Sequence, residues 1–107
     1  MSNRIFQNVV TQMKDSINRT IGVVDETATI IACSDLSRIG ETNEFLVLDI
    51  ADSDGYFVRD GYYYKTFGSH SKPEYAVFIE GTDDMSVKFA SLLTITFLNL
   101  KQFYDDK

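Results

Sequence analysis

Tryptophan is absent from the 107 residues, and cysteine, histidine and proline occur once each. The single thiol, Cys33, rules out an internal disulfide and fits a reducing compartment. Ser2, Asn3, Arg4 and Gln7 interrupt any apolar leader run at the start, so the expected location is cytoplasmic. One histidine and one cysteine do not make up the several ligands of a metal site, and neither a metal nor another cofactor is expected. With one proline, no low-complexity segment and no internal repeat, no linker is visible, and residues 1–107 read as one domain. Positive charge is scarce too: ten basic residues stand against sixteen acidic ones, a net charge of −6. Such a surface repels phosphate backbones and anionic bilayers, so neither direct nucleic-acid contact nor membrane binding is expected. The longest uncharged run, Phe89–Leu100, is too short to cross a bilayer.

What remains is the balance of an ordinary globular domain, 44% apolar and 24% charged. Ile5, Phe6, Val9, Val10, Met13 and Ile17 recur at helical spacing and predict a helix over Ile5–Asn18, capped by Ser2 or Asn3. Two β-branched runs, Ile21–Val24 and Ala28–Cys33, flank a short polar turn and predict a hairpin. Residues 34–40 read as a loop. Asn43–Ala51 fits a helix turn or a short strand equally well. Asp60-Gly61 between Tyr56–Arg59 and Tyr62–Phe67 is a two-residue hairpin signal. Glu74–Glu80 is apolar on both alternating faces and reads as a central strand. Thr82 is placed to cap a last helix running to about Tyr104, with Asp83 and Asp84 in its first turn. The order predicts an α+β domain: an antiparallel sheet of about five strands with helices at both ends. This resembles the PAS-like and profilin-like sensor modules, as an analogy of fold alone.

The last helix is apolar around well over half of its circumference, and a single sheet covers only one side. Two readings fit. In one, a second copy covers the rest, giving a homodimer through Phe89, Leu93, Phe97, Leu98 and Leu100, helped by Val9 and Met13 of the first helix. In the other, the first helix and the sheet enclose the last helix within one chain.

No catalytic residues are expected. Cys33 and His70 would be the minimum for thiol catalysis, but Cys33 reads as a small buried hydrophobe and His70 as an exposed loop residue. Asp52-Ser53-Asp54-Gly55 opens like a calcium loop without its closing glutamate, and the glycines make no phosphate-cradling pattern. Ser34-Asp35-Leu36-Ser37-Arg38-Ile39-Gly40 gathers two hydroxyls near a carboxylate and a guanidinium. Arg38 fits a bidentate grip on a carboxylate or phosphate, or equally an ion pair with Asp35 or Glu41 that holds the loop. Tyr62, Tyr63 and Tyr64, with Arg59 nearby, fit the wall of a pocket or a partly exposed aromatic patch. Ser37, Arg38, Arg59 and Tyr64 are therefore the candidate ligand contacts.

Three segments together resemble the N-terminal sensor region of bacterial transcription regulators of the purine-catabolism and sugar-diacid type (PucR/CdaR). They are Val10–Ile17 leading into Ile21-Gly22-Val23-Val24-Asp25; Ile30–Gly40, where a hairpin strand runs into a Ser/Asp loop closed by Arg-Ile-Gly; and Tyr75–Gly81 followed by the last helix. The stretch from Glu41 to Lys72 departs from the longer, more glycine-rich pattern of sugar-diacid sensors, and only Ser37 and Arg38 carry over as ligand contacts. The resemblance implies a signalling helix leaving at Lys107 and a helix-turn-helix domain beyond it. The expected function is a dimeric sensing domain of a cytoplasmic transcription regulator that binds a small-molecule effector. The alternative is a ligand-free dimerisation or scaffold domain.

Overall fold

The computed structural model describes residues 2–68 and 73–105, and the predicted loop position of His70 lies outside them. Helix α1 (Ser2–Ile17) is followed by strands β1 (Ile21–Asp25) and β2 (Ile30–Cys33) and a single 3₁₀ turn (Leu36–Arg38). Then come helix α2 (Phe45–Asp52), strands β3 (Tyr56–Arg59), β4 (Tyr62–Gly68) and β5 (Pro73–Glu80), and helix α3 (Asp84–Asp105). The strands form one five-stranded antiparallel sheet in the order β2-β1-β5-β4-β3. The expected α+β architecture with terminal helices is the observed one.

Two expected caps move. α1 spans Ser2–Ile17, so both positions expected to precede it fall within its range; nothing in that polar first turn breaks a helix. Its end is closed by Asn18 in the left-handed region at φ 55°, with its N–H on the Lys14 carbonyl at 3.0 Å. At α3 the cap is Asp83, not Thr82. The Asp83 carboxylate accepts the Ser86 N–H at 3.3 Å and two N–H bonds from Arg19, at 2.6 and 2.9 Å. Asp84 is thus the first helical residue, because the longer reach of Asp83 satisfies both the helix end and the arginine.

Central strand β5 pairs with β1 on one side and β4 on the other. Its alternation divides the domain into three layers. Val77 and Ile79 face α1 and α3, which lie side by side over the sheet, α1 on β1 and β2 and α3 on β4 and β5. Ala76 and Phe78 face the opposite way, toward α2. Phe6, Phe67 and Phe97 meet edge-on or stacked, with ring centroids 5.1–6.1 Å apart, at the junction of α1, α3 and sheet. Edge strand β2 is bonded by Gln7 of α1, whose amide accepts the Cys33 N–H at 2.8 Å and donates to the Cys33 carbonyl at 3.0 Å.

Residues 45–52 are helical because Leu46 and Ile50, one turn apart, both reach the sheet, while the Asn43 side chain accepts the Phe45 N–H at 3.1 Å. The Asp60-Gly61 turn has positive φ at both positions, 54° and 83°, the geometry that closes a two-residue hairpin. Gly22 has a different role. A Cβ there would lie 2.4 Å from both the Phe78 ring and the Ala32 carbonyl oxygen, so glycine is what lets Phe78 lie over β1.

The interior also corrects part of the expected dimer surface. Leu93 and Phe97 are 1% and 0% exposed within their own chain, so neither is available to a partner. They are consumed by the α3–sheet contact, the side that sequence periodicity could not assign. Val9, Met13, Phe89 and Leu98 are partly buried against the same core, and Leu100 lines a surface groove between α1 and α3 with Val9 and Met13.

Two outcomes follow from this packing. Phe97→Ala should cost about 3–5 kcal/mol in a urea titration, the range for emptying a fully buried aromatic site. Arg19, with help from Ser86, holds the Asp83 carboxyl well below its ordinary 3.8. The folded pKa is depressed, so the stabilisation is complete above that ordinary value and is lost as pH falls beneath it. The gap in melting temperature between wild type and Asp83→Asn should therefore narrow as pH drops from 5 toward 2.

Candidate functional site

On the α2 side of the sheet a cavity of about 140 Å³ lies between the strands, α2 and the segment that joins β2 to α2. Its floor is Val24, Ile30, Tyr64 and Phe78; Leu46 closes one wall; Arg38, Glu41, Thr42 and Asn43 form the polar rim. The rim is held in place by backbone bonds. The Ile30 N–H donates to the Glu41 carbonyl at 2.8 Å, the Gly40 N–H to the Ile30 carbonyl at 2.8 Å, and the Asn43 N–H to the Ala28 carbonyl at 3.1 Å. Residues 40–43 therefore run beside the start of β2 almost as a further strand, and Thr29 and Thr42 join hydroxyls at 2.8 Å.

Arg38 is carried into the cavity by the 3₁₀ turn. That turn forms because Asp35 caps it, its carboxylate accepting both the N–H and the hydroxyl of Ser37, at 3.1 and 2.7 Å. The guanidinium carbon lies 5.5 Å from the Tyr62 ring centroid and 5.8 Å from that of Phe78, a cation–π arrangement. Its Nη1 donates to the Tyr62 hydroxyl at 3.1 Å, and its Nε reaches Glu41 at 3.4 Å. Burial works against the charge, but the contacts to Tyr62 and Glu41 outweigh it and leave the arginine more firmly protonated than usual. A guanidinium has five donors, so this one keeps donors for an incoming acceptor.

Tyr64 stacks on Phe57 at 4.7 Å and is nearly buried. Burial pushes its phenol up to about 12, so it is a neutral hydroxyl throughout the physiological range. Among the described residues none hydrogen-bonds that hydroxyl.

Of the four expected ligand contacts, the structure brings Arg38 and Tyr64 together at the cavity. Ser37 does not line it; its exposed hydroxyl is spent on Asp35. Arg59 does not line it either, because its guanidinium pairs with Asp49 of α2 and ties that helix to β3. Sequence reasoning missed Thr42 and Asn43 as rim groups and Tyr62 as the support of Arg38. Their only signal was closeness in the chain to Arg38 and Tyr64. Arg38 makes the expected ion pair with Glu41, at 3.4 Å, and also lines the cavity. Cys33 is buried, and burial pushes its thiol upward, toward an inert neutral form.

Chemically, one persistent cation, a neutral phenol and small hydroxyl and amide groups over an apolar floor suit the binding of a small oxygen-rich anion. The comparison with known families agrees. Residues 1–70 match the family described as "Putative sugar diacid recognition", more than half of the chain, and the chain belongs to that family. The description names recognition and no reaction, so the chain is a ligand-sensing domain in kind. No curated protein matches it. The family match runs on through residues 41–70, so the departure read there from the sequence is variation inside the family, and the cavity rim falls within the matched part. Among the described residues no helix is long and apolar enough to cross a membrane.

The raised Tyr64 phenol gives a signed prediction. Its folded pKa lies above the ordinary 10, so the associated stability is intact below pH 10 and is lost as pH rises toward 12. Tyr64→Phe should lose less stability than wild type over that interval, measured by denaturant unfolding at stepped alkaline pH.

Proposed function

We propose that the chain is the sensing domain of a cytoplasmic, homodimeric transcription regulator, that it is not an enzyme, and that its effector is a sugar-derived carboxylic acid of the diacid class. The observation that supports this most directly is Arg38: a guanidinium set over two aromatic rings, with free donors, at the polar rim of the cavity. Two parallel N–H bonds from it match one carboxylate. Tyr64, Thr42 and Asn43 meet the hydroxyls along the ligand. Among the described residues the only other charged group of the rim, Glu41, is acidic, so the second carboxylate of a diacid points to the mouth of the cavity and to solvent.

Sensing requires two states of the domain with different affinity for the ligand. The rim is suited to that. Residues 40–43 connect the 3₁₀ turn to α2, so a carboxylate drawn against Arg38 competes with Glu41 for the same guanidinium and loads both elements. The attached regulatory domain is read from the likeness to the PucR/CdaR sensors.

A matched series tests the reading: a hexose, the corresponding hexonic acid and the corresponding hexaric acid, followed by thermal shift and calorimetry. The hexaric and hexonic acids should both stabilise the domain through the one carboxylate held by Arg38, and the neutral sugar should not. Arg38→Gln should weaken the acids at least tenfold, in line with the roughly 1.5–3 kcal/mol of a charged hydrogen bond, with Tyr64→Phe showing a smaller loss. A folded protein indifferent to all three compounds would instead be the ligand-free dimerisation domain.

A further inference from the structure

Among the described residues two charged side chains line the cavity, Arg38 and Glu41, and they are opposite in sign. The backbone fixes how they stand. The Glu41 N–H donates to the Arg38 carbonyl at 3.1 Å, and the Glu41 carbonyl accepts the Ile30 N–H at 2.8 Å, so the residue is tied both to the 3₁₀ turn and to β2. Its carboxylate takes one edge of the guanidinium, Oε1 to Nε at 3.4 Å, while Nη1 donates to the Tyr62 hydroxyl. The Arg38 side chain is 31% exposed and that of Glu41 58%, so the carboxylate stands on the solvent side of the cation. A pair so long and so exposed is weak, and it does not shut out a carboxylate that makes two N–H bonds to the same guanidinium. Glu41 acts instead on whatever follows that carboxylate outward. A second anionic group held at the rim meets like charge at an effective dielectric below that of water. One carried beyond the rim is surrounded by water and screened by salt.

We propose that Glu41 selects acids by the spacing between their carboxylates, admitting monocarboxylic hydroxy acids and long dicarboxylic ones and rejecting short dicarboxylic ones. This rests on the effector reading above and adds the residue that sets its specificity. Arg38 supplies the affinity for one carboxylate, and Glu41 sets how far away the next one must lie.

Calorimetry at pH 7 on the 107-residue chain tests this with two length-matched pairs: threonic and tartaric acid with four carbons, and a hexonic acid and its hexaric counterpart with six. The wild type should bind tartaric acid about tenfold more weakly than threonic acid, yet bind the two six-carbon acids within about threefold of each other. Glu41→Gln, and Glu41→Ala as a second neutral variant, should bring tartaric acid to within about threefold of threonic acid, with far-ultraviolet circular dichroism as the control for folding. Added salt should narrow the four-carbon gap of the wild type, because Glu41 is exposed. A wild type with no four-carbon gap, a six-carbon gap as wide, a gap indifferent to salt, or one that persists in a folded neutral variant overturns the role of Glu41 and leaves the effector reading standing. A wild type that binds none of the four acids overturns both.

Discussion

Strand β5 is apolar on both faces, and such a strand in water demands two covers. Val77 and Ile79 on one side, and Ala76 and Phe78 on the other, are all essentially unexposed. The two terminal helices cover the first face together. The second is left to the single short helix α2 and the segment before it, which is too small to fill the space completely. The cavity is what remains. Gly22 belongs to the same constraint, since the Phe78 ring occupies the volume that any side chain on its β1 neighbour would need.

The cavity acquires its chemistry from how little charge enters it. Arg38 has two aromatic rings beneath it, one phenol and one carboxylate as partners, and among the described residues no lysine or second arginine lines the space. A cation in that setting is held in place before any ligand arrives, so little ordering is left for binding to cost. Arg59 shows the contrast. It is close in sequence to the same aromatic run, yet its ion pair with Asp49 fixes the α2–β3 junction and keeps it off the cavity lining.

Helix α3 meets the sheet with one stripe and solvent with another. The α1–α3 groove runs beside that stripe and is lined by Asn99 together with Val9 and Met13.

Periodicity in the sequence was sufficient for both terminal helices, for the two hairpins and for the central position of β5, because each depends on local pattern: spacing of apolar residues, Asp60-Gly61, and alternation within Tyr75–Ile79. The likeness carried by Ile30–Gly40 likewise anticipated the family. Residues 45–52 were undecided because a run such as Phe45-Leu46-Val47-Leu48 satisfies either period, and only the sheet face that receives Leu46 and Ile50 chooses. The two stripes of α3 could not be told apart for a related reason: apolar residues around most of a helix do not say which side the core will take. Leu93 and Phe97 went inward, and Leu92 and Ile95 stayed out, when α3 settled over β4 and β5. The same holds for the site, where Ser37 and Arg38 are neighbours in sequence but a 3₁₀ turn sends one side chain to solvent and the other over Phe78, forty residues away in the chain.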